Sequence, residues 1–539
     1  KRQASRARRQ APMLRGSGRV LRWSGYAALG ALPPTYAWYV HASGDYFLEG
    51  ARRGVYFWAR VGPIVLHYVW TDRTTRNADD ATRGASFERL HAQYAPTALS
   101  VILALRGFYV KVGQFGSSRA DILPPAYLQQ FRLLQDQVPH EDIGHVRATI
   151  EACLGQPSDM IFTHMESEPL GAASIGQVHR ARLRDSGTEV VVKVQYPSVR
   201  RTFHSDMSCI RSVVTLAEPS LALVFDELQK QFLTEFDYRR EVRNLQDVAR
   251  LILPEWEGSV TLPEPLPEHC GELVLTMTYL PGEKLETALR REWERLGFRE
   301  EDLQARLNVG LPRNAAILAL GLRLLRWRVA LQDLWTALRA RAQKLCEALG
   351  WPSSGATAVA RPRIPDRHQL LRTLLGVHAQ QVLQHGVFNA DLHPGNFLLL
   401  PDGRLGLIDF GQVKRIGAET RRQLAELLVA LAHGNCEDTV SAMTDLGVRS
   451  KKMDPRFLEA NARLLFGRID GDLTGGRSLL EFVQDLRTWD TLVVMPGELY
   501  LPSRAAMMLR GLAMLLHCHV SIADEWRPVA ERVLVEGNT

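Results

Sequence analysis

Two short polar motifs in the second half of the chain contain residue types that bind Mg²⁺ and nucleotide phosphates. Asp391 is followed five residues later by Asn396, and Asp409-Phe410-Gly411 begins thirteen residues after Asn396. Carboxylate and amide oxygens are the ligands that Mg²⁺ prefers. Transfer of a phosphoryl group from ATP needs such ligands, together with a carboxylate that places the acceptor. The spacing therefore predicts that Asn396 and Asp409 hold Mg²⁺ and that Asp391 is the catalytic carboxylate near the acceptor.

A lysine within a valine-rich run supplies the cation that this chemistry needs on the phosphates. Alternation along a strand sends Lys193 to the face opposite Val192 and Val194. Glu241, on a predicted helix farther along the chain, is the candidate carboxylate that holds this lysine. Each residue alone also fits a solvent-exposed charge, but their order with the two acidic motifs is that of a protein-kinase catalytic core. The alternative is that the two acidic motifs are only structural turns, which flank a hairpin at Asp402.

A small-residue loop precedes the lysine strand, where a kinase has the Gly-rich cover over the phosphates. Backbone amides of such a loop can approach phosphates, although alanine makes it stiffer than a glycine-rich one. The candidate nucleotide-binding residues in this loop are Gly171, Ala172, Ala173, Ser174, Ile175 and Gly176. By analogy with kinase hinges, adenine is expected to lie against the segment after Met277, using backbone groups of Thr278 and Leu280.

The elements that must position these residues follow one order along the chain. Helical spacing precedes residue 150, short β-branched runs follow at 190–194 and 273–278, and helical patterns return after residue 412. This order predicts an α+β fold, a protein-kinase-like arrangement of a small antiparallel sheet in the N-lobe and a mostly helical C-lobe. The predicted divisions are a targeting segment with a candidate anchor at 1–90, a helical extension at 91–150, the N-lobe at 151–283 and the C-lobe at 284–539. The C-lobe contains a predicted insertion at 309–364.

Charge is concentrated at the start of the sequence. The formal net charge is +7, yet the first 22 residues contain eight Lys or Arg and no acid, so the remainder is close to neutral. A near-neutral body disfavours nucleic acid as a partner. The acid-free, Arg-rich start is typical of a mitochondrial targeting segment, with a basic tail as the alternative. The uncharged residues 23–40 predict a single-pass anchor, with an interfacial or buried helix as the alternative.

Further motifs resemble those of the UbiB-like, aarF domain-containing atypical kinases. Lys111, Gly113 and Gln114 are similar to the Lys-x-Gly-Gln helix of that family, and residues 171–176 are similar to its Ala-rich phosphate loop. The family's Glu-x-Asp pair and lysine-pairing glutamate fall on three residues: Glu235, Asp237 and Glu241. The resemblance covers roughly residues 94–413 outside the insertion.

The resemblance carries its own expectations about function. It implies a kinase-like fold in which Lys111 and Gln114, with Glu235 and Asp237, form a lid over the site. It implies ATP and Mg²⁺ as cofactors, a mitochondrial or plastid membrane as the location, and a link to coenzyme Q or lipid metabolism. A membrane lipid or coenzyme-Q-like molecule is the implied partner besides the nucleotide. We therefore expect an atypical kinase or ATPase whose acceptor the sequence does not name.

The sequence departs from the family pattern at three points. Gly171 stands where the family usually has the first alanine of its loop, which predicts a looser loop and a shifted nucleotide preference. Asn389 replaces the His or Gln that usually supports the catalytic loop, and no Ala-Pro-Glu follows Gly411 closely. The alternatives that stay open are a nucleotide-binding scaffold, a nucleotide-gated lipid chaperone and a small-molecule kinase.

Overall fold

The computed structural model describes residues 47–117, 123–135, 138, 140–217, 229, 232–295, 367–469, 471–477, 479–516, 518 and 520–536. The chain divides into two compact units. The first, called here the helical unit, takes its described residues from Lys1–Pro139, Ala173–Ile175 and Tyr196–Gln229. The second, called the sheet-containing unit, takes them from His140–Ala172, Gly176–Gln195 and Lys230–Thr539.

The α-helices of the described residues are numbered here in chain order. They are α1 Phe47–Thr75, α2 Asp80–Leu105, α3 Phe108–Ser117, α4 Pro125–Phe131, α5 Ile143–Leu154, α6 Ser158–Ile161, α7 Pro197–Ala217, α8 Tyr238–Trp256, α9 Leu285–Arg295, α10 Arg367–Ala379, α11 Ala418–His433, α12 Cys436–Asp445, α13 Pro455–Phe466, α14 Gly471–Thr474, α15 Leu479–Trp489, α16 Gly497–Leu515 and α17 Ile522–Glu536. A π-helical turn, Gln380–His385, continues α10. Short 3₁₀ turns are Arg132–Gln135, Thr234–Phe236, Pro267–His269 and Pro394–Asn396.

The strands of the described residues are short and are likewise numbered in chain order. They are β1 Phe162–Met165, β2 Gly171–Ala172, β3 Gly176–Leu183, β4 Glu189–Gln195, β5 Val260–Thr261, β6 Val274–Thr278, β7 Glu283–Lys284, β8 Val387–Asn389, β9 Phe397–Leu399, β10 Leu405–Leu407, β11 Val413–Arg415, β12 Arg449–Ser450 and β13 Leu492–Val494.

The helical unit packs α1, α2, α3, α4 and α7 against one another. A buried ion pair joins two of these helices, because the Arg53 guanidinium donates to both carboxylate oxygens of Asp206 at 2.9 and 2.7 Å. Arg53 also donates to the Leu105 carbonyl at the end of α2, at 2.7 Å. A buried charge of this kind is stable only when its partner satisfies it, so the pair fixes how these helices meet.

An antiparallel sheet opens the sheet-containing unit. Its strands run in the order β1-β3-β4-β6, and β2 pairs with β3. Val190, Val192 and Val194 of β4 are buried on one face, where they pack with Val146 and Ile150 of α5. The alternation of β4 therefore has the register that the sequence predicts, with Lys193 on the opposite face.

Helices dominate the remainder of this unit, after residue 367. Helix α17 contacts α11, α10 and the π-helical turn, and its Trp526 is fully buried. The ring of Trp526 lies 5.8 Å from that of His378 on α10 and 6.5 Å from that of Phe466 on α13. The π-helical turn of this group contacts strand β8. The α+β fold class, with antiparallel pairing and a largely helical second half, is confirmed.

Three sequence predictions fall outside the described residues. They are the targeting segment 1–22, the anchor 23–40 and the insertion 309–364. Within the described ranges, no helix combines the length and apolar character needed to cross a lipid bilayer.

Candidate functional site

Strand β4 and helix α8 bring the predicted lysine and glutamate together. Helix α8 begins at the N-cap Asp237, whose side chain accepts from the Arg239 amide at 3.1 Å. One face of α8 is buried, and Glu241 lies on that face between apolar neighbours. A carboxylate in such a place requires a charged or hydrogen-bonding partner. Lys193 provides it: its Nζ donates to both carboxylate oxygens of Glu241 at 2.9 Å.

The same lysine faces the carboxylate of the D-F-G turn. Lys193 Nζ lies 3.7 Å from Asp409 Oδ2, and the Lys193 side chain is only 14% exposed. Burial disfavours a charged lysine, but the Asp409 and Glu241 carboxylates outweigh it and raise the pKa of Lys193 well above its ordinary value. Lys193 is therefore a fixed cation, and with two carboxylates around it the cluster has an excess of negative charge.

Asp409 has a backbone conformation that L-residues rarely adopt. Its φ is +68°, and it is one of three non-glycine residues with positive φ in the described part of the chain. Asp409 Oδ1 accepts from the Gly411 amide at 3.1 Å, and the Asp409 carbonyl accepts from Asn389 Nδ2 at 2.8 Å. Such conformations persist where neighbouring groups hold them, and they occur often at functional sites.

Asn389 joins the two acidic motifs. Besides its bond to the Asp409 carbonyl, its Oδ1 accepts from the Asp391 amide at 2.9 Å. The backbone amide of Asn389 donates to Gln381 Oε1 on the π-helical turn at 3.1 Å. Strands β8 and β11 pair antiparallel here, with Asn389 opposite Val413. Asn389 therefore supports the loop in place of the usual His or Gln, using one donor and one acceptor.

Asp391 and Asn396 lie on the loop that follows β8. Asn396 Nδ2 donates to the Asp391 carbonyl at 3.1 Å, which leaves the amide oxygen of Asn396 as its ligand atom for a cation. Asp391 Oδ1 lies 3.6 Å from the guanidinium of Arg504 on α16, and both side chains are about one-third exposed. Arg504 is not among the residues predicted from the sequence, because nothing in its local sequence distinguishes it from other helical arginines.

The phosphate-loop candidates differ in how tightly their backbone is packed. A Cβ on Gly176 would lie 2.5 Å from the Val194 carbonyl and 2.8 Å from the Tyr238 hydroxyl, so only glycine fits there. A Cβ on Gly171 would meet nothing within 4 Å. The neighbouring Ala172 pairs with Gln177 in the sheet. Packing therefore requires Gly176 and leaves room for a side chain at position 171.

The central residues of this loop, Ala173–Ile175, group with the helical unit. Ser174 is buried, and the Ile175 carbonyl accepts from the Tyr196 amide of the same unit at 2.8 Å. Contact of these three residues with a nucleotide stays a prediction.

In the predicted hinge, Thr278 and Leu280 each have one backbone group that is already engaged in a hydrogen bond. Met277 is buried on β6, and the Thr278 amide donates to the Glu264 carbonyl at 2.9 Å. The Leu280 carbonyl accepts from the Gly282 amide at 2.8 Å. The Thr278 carbonyl and the Leu280 amide are therefore the groups of these two residues that suit adenine. Contact of Met277, Thr278 and Leu280 with adenine stays a prediction.

The four predicted lid residues divide between the two units. In the helical unit, Gln114 Nε2 donates to the Leu134 carbonyl at 2.9 Å. A Cβ on Gly113 would lie 2.4 Å from Leu134 Cδ1, so any larger residue in place of the glycine of Lys-x-Gly-Gln would displace the end of this leucine side chain. Lys111 is half-buried on the same helix, α3.

In the sheet-containing unit, Glu235 Oε1 accepts from Gln412 Nε2 at 3.1 Å. Asp237 caps α8, and the Arg239 guanidinium beside it lowers the pKa of the Asp237 carboxyl. The lid itself stays a prediction.

The residues around Lys193 fit a nucleotide phosphate and Mg²⁺. The Tyr238 hydroxyl is buried and has no hydrogen-bond partner among the described residues, and the Tyr238 ring centroid lies 5.2 Å from Lys193 Nζ. A buried hydroxyl without a partner, next to Gly176, suits an oxyanion ligand. The described residues contain no group of three His, Cys, Asp or Glu side chains suited to a metal. Mg²⁺ bound through one or two protein groups plus substrate phosphates needs no such group.

Comparisons with known proteins identify relatives of this chain. The family model of the ABC1 atypical kinase-like domain matches residues 133–308 and 356–443. An uncharacterised aarF domain-containing protein kinase of Arabidopsis thaliana, described as chloroplastic, is 26% identical over 67% of this chain and 56% of its own length. The probable protein kinase UbiB of Aliivibrio fischeri is 26% identical over 78% of this chain and 67% of its own length.

Among solved structures, the complex of Rv3197 with erythromycin from Mycobacterium tuberculosis is 20% identical to this chain. It covers 84% of this chain and 98% of its own, with a TM-score of 0.48. The chain spans 64%, 42% and 54% of the lengths of three further curated relatives that it matches. The chain carries a kinase-like ABC1 domain and belongs to the aarF domain-containing, UbiB-like family of atypical kinase-like proteins.

Proposed function

We propose that this protein binds Mg-ATP in the sheet-containing unit and acts as an atypical kinase or ATPase. The observation that carries the proposal is the bidentate contact of Lys193 with Glu241 at 2.9 Å, with Asp409 3.7 Å from the same ammonium. This arrangement leaves one cation among two carboxylates, which favours binding of a further cation. It is also the lysine–glutamate pair that kinases need for phosphoryl transfer.

Each residue has a definite role in this proposal. Lys193 contacts the α and β phosphates, and Glu241 orients Lys193. Asn396 and Asp409 would hold Mg²⁺, which when bound offsets the negative charge of the phosphates. Asp391 positions the acceptor hydroxyl or water, or accepts its proton. The Thr278 carbonyl and the Leu280 amide contact adenine.

The cellular setting is a second part of the proposal. We infer a mitochondrial, membrane-associated protein linked to coenzyme Q or other lipid metabolism. Support comes from the acid-free, Arg-rich first 22 residues and from the family resemblance. A reporter that carries residues 1–40 should reach mitochondria and resist carbonate extraction. A diffuse cytosolic reporter would refute the location, and complete extraction would refute the anchor.

Removing the metal-binding carboxylate tests the ATP site. Asp409→Asn should abolish the Mg²⁺-dependent rise in melting temperature caused by ATP, because it removes the principal anionic ligand of the metal. Asp402→Asn is the matched control, since Asp402 lies in the β9–β10 turn and is 49% exposed in its ion pair with Arg404. Equal Mg-ATP stabilisation in wild type and Asp409→Asn would reject the assignment.

A nucleotide-binding scaffold without phosphoryl transfer is a second candidate, and one contact favours it. The Arg504 guanidinium lies 3.6 Å from Asp391 Oδ1, so the carboxylate that would position an acceptor is already engaged by a cation of the chain. Phosphate release from ATP by the purified chain separates the two functions. Release that disappears in Asp391→Asn supports transfer, whereas ATP-induced stabilisation without release supports the scaffold.

A further inference from the structure

Helix α16 of the sheet-containing unit carries an exposed stripe along its length. Tyr500, Met507 and Met514 are 46%, 50% and 38% exposed, although all three are large and mainly apolar side chains. Arg504 and Gly511 lie between them on the same helix, and Gly511 is exposed as well. These five residues are called here the α16 stripe. Apolar side chains grouped on a surface in this way are a feature of interaction sites.

The spacing of the α16 stripe indicates what kind of element packs on it. Its members follow one another at intervals of four, three, four and three residues, which is the spacing along a helix that packs lengthwise against another helix. At 1.5 Å per residue the stripe is about 21 Å long. Helix α16 also contacts α10, α11 and α13 of its own unit. The exposed stripe is therefore available for a further helix.

Charge on α16 restricts how a second copy of the helix can lie against it. The one carboxylate of the helix belongs to Glu498, which lies in the first turn and accepts from the Thr420 hydroxyl. Arg504 is the only charged member of the stripe. A parallel pair would place Arg504 opposite Arg504 of the second copy, and like charges across an interface repel. An antiparallel pair separates the two guanidinium groups.

The order of residues in the stripe is self-complementary in an antiparallel pair. With a twofold axis at Met507, Tyr500 faces Met514 of the second copy, because the two lie seven residues before and after the axis. Arg504 and Gly511, three and four residues from the axis, then lie side by side. A Cβ on Gly511 would meet nothing within 4 Å, so this glycine leaves room for the arginine side chain.

We propose that the α16 stripe binds the α16 stripe of a second copy of this chain, antiparallel, about a twofold axis at Met507. Such an interface uses the same surface on both copies and closes after two. Because Arg504 lies 3.6 Å from Asp391 Oδ1, the interface adjoins the loop that carries Asp391. The proposal involves no nucleotide and does not depend on the proposed function.

The dimer should be weak. Stable interfaces bury about 1,200–2,000 Å² in total, and one pair of short helices buries less. We therefore expect dimers at about 100 μM chain and monomers at about 1 μM, as for transient complexes.

Sedimentation velocity of the full chain over this concentration range measures the association. Met507→Asp places two carboxylates against each other at the axis, so it should weaken the dimer at least about tenfold. Met160→Asp is the matched control, because Met160 is 66% exposed on α6 and lies outside the stripe. It should associate as the wild type does. Equal melting temperatures of the two variants and the wild type exclude misfolding as the cause.

Cysteine substitutions test the antiparallel geometry without a charge change. After oxidation with diamide, Met507→Cys should form a covalent dimer by itself, because residue 507 faces its own counterpart. Tyr500→Cys and Met514→Cys should each stay monomeric alone and form a covalent dimer when mixed. The wild type, with its native cysteines, gives the background.

Three results would overturn the proposal. A wild type that stays monomeric at about 100 μM excludes the dimer, since even transient complexes form there. Association of Met507→Asp equal to that of the wild type places any interface elsewhere. Self-linking of Tyr500→Cys and of Met514→Cys, each alone, indicates a parallel pair and rejects the antiparallel arrangement.

Discussion

Removing the side chain of Asn389 should disconnect the two acidic motifs. Asn389 is 5% exposed and makes two side-chain hydrogen bonds, one to the Asp409 carbonyl at 2.8 Å and one from the Asp391 amide at 2.9 Å. Asn389→Ala leaves both of these backbone groups without their partner. It also removes a constraint on Asp409, whose φ of +68° is unfavourable for an L-residue by about 1–2 kcal/mol.

The cost of this substitution follows from the two bonds. Leaving one buried polar group unpaired costs about 1–3 kcal/mol. Water can reach part of the loop, so we take the lower half of that range for each bond and expect a total of about 2–4 kcal/mol. This is a large fraction of the 5–15 kcal/mol that separates folded from unfolded domains. Relaxation of Asp409 should also weaken Mg²⁺-dependent ATP binding.

Denaturant unfolding monitored by tryptophan fluorescence measures the free energy, and melting with Mg-ATP measures binding. Asn461→Ala is the matched control, since Asn461 makes one bond to the Phe457 carbonyl within α13, at 2.7 Å. It should cost less than about 1 kcal/mol. A loss below about 0.5 kcal/mol in Asn389→Ala, with Mg-ATP stabilisation intact, would show that Asn389 does not support the loop.

Three further predictions concern packing, acid stability and the lid. Gly176→Ala should prevent normal folding of the sheet because its Cβ would lie 2.5 Å from the Val194 carbonyl, whereas Gly171→Ala should keep the wild-type melting temperature; equal melting of both variants contradicts this. Burial lowers the pKa of His378 from its ordinary 6.5 to about 3, so this imidazole binds a proton more tightly in the unfolded chain than in the folded one. Stability should therefore decline as the pH falls from about 6.5 towards 3, and His378→Phe should reduce that slope in acid denaturation; an unchanged slope excludes the histidine. Lys111→Ala should change nucleotide affinity or self-phosphorylation at an unchanged melting temperature, because the Lys-x-Gly-Gln resemblance implies a lid; identical binding and turnover would reject that role.

The central ion pair is predictable from the sequence because it depends on local periodicity. Alternation in β4 fixes the face of Lys193, and the buried stripe of α8 fixes that of Glu241. The spacing of Asp391, Asn396 and Asp409 identifies their motifs for a similar reason. Such patterns report on a single strand, helix or turn, which is the scale at which sequence periodicity has meaning.

Other parts of the site depend on contacts between distant segments. Arg504 reaches Asp391 from α16, and the Thr278 amide is occupied by Glu264 from a segment without a periodic pattern. Asn389 is visible in the sequence only as a departure from the family, although its amide provides both the donor and the acceptor that the loop needs. No single-segment pattern contains these relations, since tertiary packing alone sets them.

Helix α17 affects the order in which the protein can fold during synthesis. Its Trp526 packs against His378 of α10, and α17 follows α10 and α11 in the chain, so the packing of these two helices is incomplete until α17 has been synthesised. Until then, the apolar surfaces of α10 and α11 that α17 covers stay open to water. Exposed apolar surface on a partly made chain promotes aggregation, and chaperones bind such surfaces. The sheet around Lys193 can therefore form before α17 is made, whereas the packing of α10 and α11 is complete only afterwards.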